Sequence, residues 1–113
     1  MLNVTAVGNL TQDPEQKQIN DDLVVTKLKI LVNRKMKGKD VTSGIVCSIW
    51  GKRGNPAMAY LKKGDQITVQ GEGIITPYLR QNGDPGAVIE LNVQEYSLPQ
   101  RPRTQENPID PPF

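Results

Sequence analysis

Between Val24 and Val32 the chain alternates strictly: Val24, Thr26, Leu28, Ile30 and Val32 interleave with Val25, Lys27, Lys29 and Leu31. A period of two sends successive side chains to opposite faces of an extended backbone, and a helix would scatter both sets around its axis. The segment therefore reads as a half-buried strand that carries lysines outward. Segments 2–7, 41–50, 66–75 and 87–96 are similarly rich in β-formers and supply four more strands. Gly8 and the run Gln12, Asp13, Pro14 end the first. Gly38, Lys39 and Asp40 mark one hairpin tip, and Asn82, Gly83, Asp84, Pro85 and Gly86 mark another.

One segment departs from this pattern. Asn55 can cap a helix, Pro56 suits its first position, residues 57–61 continue it and Gly64 can end it. Three strands, a short helix and two strands form the chain order of the OB-fold, a five-stranded Greek-key barrel. The expected fold is thus all-β: such a barrel over residues 1–97, with one short helix between strands 3 and 4. Gly71 and Gly73 fit a strand where a barrel bends or another backbone comes close. Beyond residue 97 the prolines 99, 102, 108, 111 and 112 lie among polar residues, so 98–113 reads as a disordered C-terminal tail. Its tip, Ile109, Asp110, Pro111, Pro112 and Phe113, joins a ring, an acid and a terminal carboxylate, a set suited to a basic-rimmed apolar pocket on a partner.

Charge is distributed unevenly. The formal net charge is +2, yet Lys27 to Lys63 holds ten basic residues and one acid, Asp40. Such a block favours a polyanionic partner. Single-stranded nucleic acid needs cations for phosphate and open rings for bases. Trp50 is the foremost stacking candidate, because it follows Val46 and Ser48 in phase, opposite to Ile45, Cys47 and Ile49; a core tryptophan is the alternative. Tyr78 stands past the fourth strand near Arg80 and is a second candidate. Tyr60 lies on the helix, where packing against the barrel end competes with stacking. Arg34, Lys35, Lys37 and Lys39 crowd one hairpin, Lys52 and Arg53 follow Trp50, and Lys62 and Lys63 stand at the helix end, where they also complement its dipole.

Catalytic readings find little support. The chain has no histidine, and its lone Cys47 sits in an apolar alternating stretch as a small buried hydrophobe without an imidazole to activate it. Ligand-spaced pairs for a metal are missing, and 54–65 is neither a P-loop nor a dinucleotide fingerprint. The expectation is a protein that is not an enzyme and uses neither cofactor nor metal. No apolar run nears the length of a membrane span and the amino terminus lacks a leader pattern, so a soluble cytoplasmic protein is expected.

Three stretches, "NVTAVGNLTQDPE", "SIWGKRGNPAMAYLKKGDQITVQGEG" and "NPIDPPF", fall in an order and spacing that resembles the bacterial single-stranded DNA-binding proteins. The resemblance implies binding of single-stranded DNA in replication, recombination and repair. It also implies phosphate contacts by Lys52 and Lys63, a stacking Tyr78 on a mobile hairpin, and a homotetramer, with a dimer next in line. The outward apolar residues Val25 and Leu31 fit a subunit face. Recruitment of DNA-metabolism enzymes by the tail tip follows from the same likeness. Departures are visible too: Met36 and Gly44 stand where the family carries rings, Ile74 and Thr76 where it carries arginines, and Asn3 where it carries a lysine. Two other readings remain open, an OB accessory module of the primosome or RNA type and a non-catalytic protein adaptor.

Overall fold

The alternation that begins at Val24 extends well past Val32. In the computed structural model, which describes residues 1–99, β3 runs Leu23–Met36 and pairs antiparallel with β4, Lys39–Trp50. Their register runs from Val25↔Trp50 to Met36↔Lys39, leaving Lys37 and Gly38 as a two-residue turn with φ of 53° and 78°. Two left-handed residues match the right-handed twist of the flanking strands. The tip therefore lies a residue earlier than expected, and Lys39 and Asp40 belong to β4.

The remaining strands complete a closed barrel. β1 (Asn3–Leu10) pairs with β5 (Gln66–Leu79), β5 with β6 (Pro85–Ser97), and β6 lies parallel to β4. Contact of Asn9 and Leu10 with Leu31 and Ile30 of β3 then closes the ring. This is the five-stranded OB barrel. A sixth strand, β2 (Glu15–Asn20), extends the sheet beyond β3. It was not anticipated, because all its residues are exposed and "EQKQIN" has no buried face to impose alternation.

Between β4 and β5 a 3-10 turn, Gly51–Gly54, leads into α1, Asn55–Tyr60. Gly54 occupies the cap position, and Asn55 lies inside the first turn, where its Oδ1 accepts a hydrogen bond from Gln16 Nε2 at 3.0 Å. The helix ends at Tyr60, short of Lys62 and Lys63, so their charges fall outside the last turn. Six residues make fewer than two turns. Ala57 and the following Leu61 are buried against the barrel, whereas Tyr60 is 63% exposed and does not pack into the core as expected.

The barrel interior holds Leu10, Leu28, Ile30, Ile45, Cys47, Ile49, Ile67, Val69, Leu91 and Val93. Between Gln70 and Gly71 the β5–β6 register shifts from Gln70↔Glu95 to Gly71↔Val93, leaving Gln94 as the extra residue of a bulge. A Cβ on Gly71 would stand 2.0 Å from the Asn92 carbonyl oxygen, so both readings of this glycine, a bend and a close backbone, hold together. Burial pushes the Cys47 thiol from 9.0 up to about 12. It also raises Tyr96, half-buried against the core.

Gly71→Ala is expected to destabilise the fold by about 2–4 kcal/mol in urea denaturation. Gly44→Ala, whose new Cβ would meet nothing nearer than Leu31 Cδ2 at 3.8 Å, should stay within about 0.5 kcal/mol. A second expectation concerns pH. Because the folded thiol holds its proton more tightly than the unfolded one, its contribution is complete below 9.0 and declines as pH rises toward about 12. Tyr96 acts in the same direction. Urea midpoints should therefore fall in alkaline solution, and less steeply in Cys47→Ala.

Candidate nucleic-acid interface

Cross-strand pairing arranges the outer face of the barrel in rows, because directly opposed residues share a face. One row runs Lys29, Val46, Glu90, Ile74 across β3, β4, β6 and β5; the next runs Lys27, Ser48, Asn92, Glu72. The third joins Lys17, Val25 and Trp50. Two adjoining recesses cover these rows. One is lined by Lys27, Val46, Ser48, Trp50, Glu90 and Asn92, among others, and the other by Lys17, Lys27, Lys29 and Val46 with Glu15 and Gln12. Lys27 and Val46 line both, so the two recesses lie side by side between β2 and Trp50.

Trp50 forms one end of this groove. Ile45, Cys47 and Ile49 point inward and are at most 3% exposed, while Trp50 is 42% exposed, as its phase in the strand requires. The indole N–H donates to Asn92 Oδ1 at 3.2 Å, which fixes the orientation of the ring. Val25, expected on an open subunit face, is instead 1% exposed. It lies on the outer face as its phase dictates, paired directly between Lys17 and Trp50. Leu31, two residues along each strand from Lys29, remains open to solvent. Beside the indole, Lys27 Nζ donates to Ser48 Oγ at 2.8 Å, which draws the ammonium over the floor of the groove.

A second ring shares this face. Tyr78 follows Glu72, Ile74 and Thr76 in phase along β5 and is paired with Gly86, whose absent side chain leaves room for the ring: a Cβ there would be 2.7 Å from Tyr78 Cζ. The Arg80 guanidinium stands 5.9 Å from the Tyr78 ring centroid, within cation–π range, and its Nε donates to the Pro85 carbonyl. Ring and cation thus form one unit near the hairpin tip.

The OB barrel thus carries a lysine-lined groove, an oriented open indole and a ring-bearing hairpin on one face. The model of the single-strand binding protein family matches residues 1–99. The chain belongs to that family. It is 34% identical over 87 residues to a single-stranded DNA-binding protein of Chlamydia muridarum, covering 77% of this chain and 55% of the relative. It is equally similar, with the same coverage, to the protein of that description in Chlamydia trachomatis. A further relative in Clostridium perfringens, also described as a single-stranded DNA-binding protein, is 31% identical over 99 residues, 87% of this chain and 65% of its own length. The chain spans about half the length of the first curated relatives it matches.

Within this family member the expected cations divide by location. Lys35 falls in phase with Lys27 and Lys29, opposite Asp40, whereas Arg34 and Lys39 lie on the other face of the hairpin. Arg34 Nη1 donates to Ser43 Oγ at 3.0 Å and lines a separate recess with Val4, Val32 and Ile45. Lys37 is at the turn. Lys52 is exposed on the 3-10 turn. Arg53 beside it is engaged with the bulge: its guanidinium donates to the carbonyls of Val93 and Gln94, and its own carbonyl accepts from Tyr96 Oη. Lys63 is exposed in the loop after α1, where its backbone N–H donates to Asp13 Oδ1 at 2.8 Å. Tyr60, on α1, does not line the groove. The tip residues Ile109, Asp110, Pro111, Pro112 and Phe113 lie outside the described residues.

The groove residues that were not among the sequence candidates include Lys17, Lys27, Lys29 and Asn92. The two β3 lysines were visible as outward positions of the alternation. Lys17 gave no signal, since β2 has no period, and Asn92 gains its place through its pairing with Ser48 and its bond to Trp50. Among the described residues, no group of three or more His, Cys, Asp and Glu could hold a metal ion, and no helix is long and apolar enough to cross a membrane.

Arg53 and Lys52 should separate in mutagenesis. Arg53→Ala leaves bulge carbonyls without their donors and is expected to cost about 1–3 kcal/mol in thermal or urea unfolding. Lys52→Ala, on the surface, should cost less than about 0.5 kcal/mol.

Proposed function

We propose that this chain binds single-stranded DNA along the outer groove with little dependence on sequence, and that it protects exposed strands during replication, recombination and repair. The observation that carries this reading is the pair of adjoining recesses, lined by Lys17, Lys27 and Lys29, that ends at an indole oriented yet 42% exposed. Stacking on Trp50 and Tyr78 supplies binding that any base can use, at about 1–3 kcal/mol per base. Lys17, Lys27 and Lys29 take the phosphates near Trp50. Lys35, Lys37, Lys52, Lys63 and Arg80 extend the positive field toward the barrel margins, while Arg34, Lys39 and Arg53 contribute less. The shared description of the relatives, single-stranded DNA-binding protein, supports the same substrate. The role is non-catalytic and cytoplasmic, at the nucleoid. A homotetramer, or failing that a dimer, would let several short grooves act on one strand. The C-terminal tip would recruit DNA-metabolism enzymes.

Trp50 is the only tryptophan, so its emission reports on the site directly. Titration with oligo-dT at two salt concentrations should quench it, with log K falling by about 0.7 per neutralised phosphate for each tenfold rise in salt. Lys27→Ala should reduce that slope by about 0.7. In a labelled-strand assay Trp50→Ala should weaken binding by about 1–3 kcal/mol. Unchanged emission at saturating oligo-dT, or equal competition by duplex DNA, would refute the reading.

A further inference from the structure

We infer that Arg53 is a positioning residue for the Trp50 ring and not a phosphate contact: with Asn92 and Tyr96 it forms a clip that sets the angle at which the indole meets a base. This deepens the proposed single-strand binding and rests on it. The need for a clip arises from a break in the sheet. β4 and β6 pair in parallel only from Ile45↔Ile89 to Ser48↔Asn92. Beyond that pair β4 leaves the sheet for the 3-10 turn, Gly51–Gly54, and β6 enters the bulge at Gln94. Trp50 therefore stands at a strand end that β3 still holds through Val25 but that has no backbone pairing with β6. Pairing on one side fixes the backbone of a residue, while its side chain still chooses among rotamers.

Side chains bridge the gap in both directions. From β6, Asn92 Oδ1 accepts from the indole N–H at 3.2 Å. From the turn, the Arg53 guanidinium donates through Nη1 to the Val93 carbonyl at 3.3 Å and through Nη2 to that of Gln94. Tyr96 Oη donates in return to the Arg53 carbonyl. These bonds join residues 50–53 to residues 92–96. A guanidinium suits the place, because its planar fork of donors spans two successive carbonyls where an ammonium is a single point. Both carbonyls belong to the residues directly after Asn92, so Arg53 fixes the strand that presents the acceptor to the ring. The links form a loop, from Trp50 to Asn92, along β6 to Val93 and Gln94, across to Arg53, and back along the chain to Trp50. Members of one network support one another, so the loss of one link loosens the rest. A ring held in place loses less freedom when a base stacks on it, and Arg53 thereby strengthens binding without touching the strand.

The test is a double-mutant cycle on the full chain, with labelled oligo-dT followed by anisotropy at two salt concentrations. Arg53→Ala should weaken binding about two- to tenfold. In a Trp50→Ala background, where no ring remains to be oriented, the same change should cost less than about 1.5-fold. The salt slope of Arg53→Ala should match that of the wild type, whereas loss of a phosphate contact lowers it by about 0.7. Arg53→Lys keeps the charge without the fork and should recover less than about half of the lost affinity. In the free protein, emission from Trp50 should be less polarised and more readily quenched by acrylamide in Arg53→Ala. Should Arg53→Ala fail to fold, Asn92→Leu cuts the same loop at the ring and is expected to give the same change in emission and the same loss of binding, again suppressed by Trp50→Ala. An equal loss in both backgrounds, a lower salt slope or full rescue by Arg53→Lys overturns the inference and makes Arg53 a phosphate contact. Unchanged binding and emission in Arg53→Ala also overturn it. Failure of the wild type to bind oligo-dT refutes the underlying function instead, while emission from the free protein still reports on the clip.

Discussion

The barrel depends on a short meeting of strands, Asn9 and Leu10 of β1 against Leu31 and Ile30 of β3. Without it the sheet would be an open ribbon with its apolar face exposed. Closure removes that edge and encloses the core. It also brings two backbones close enough that a Cβ on Gly8 would lie 2.6 Å from the Leu31 carbonyl oxygen. The recesses lie on the outer face of the same closed sheet. Core and binding surface are thus two sides of one sheet. Leu28, Ile30, Cys47 and Ile49 face in, and Lys27, Lys29, Ser48 and Trp50 face out from the same strands.

The bulge at Gln94 links the core to the site. It shifts register on β6 directly after the segment that carries Asn92, and Arg53 donates to the carbonyls at that irregularity. Asn92 in turn orients Trp50. An arginine that sequence placed among the phosphate contacts therefore helps to hold the strand on which the indole depends. Positioning a ring in advance lowers the entropy lost when a base stacks on it.

Charge within the groove is mixed rather than uniformly positive. Lys17, Lys27 and Lys29 on β2 and β3 stand together with Glu15 on β2 and Glu90 on β6. A uniformly basic surface would hold phosphate in many registers, because screened Coulomb attraction has little direction of its own.

Period and punctuation made the barrel legible in sequence: where one face of a strand must be buried, alternation is imposed residue by residue, and the five barrel strands, the helix, the outward Trp50 and the buried Cys47 follow from it. β2 stayed hidden because no face of it is buried. Arg53, Asn92 and Val25 stayed hidden for another reason. Their roles depend on which strands adjoin, and neighbours such as Val25 and Lys17, Trp50 and Asn92, or Arg53 and Gln94 meet only after the chain has closed on itself. Sequence alone determined which face each strand residue takes. Tertiary structure alone decided which of those residues share a groove, since side-chain phase is a local property of the backbone and adjacency is set by the pairing of distant strands.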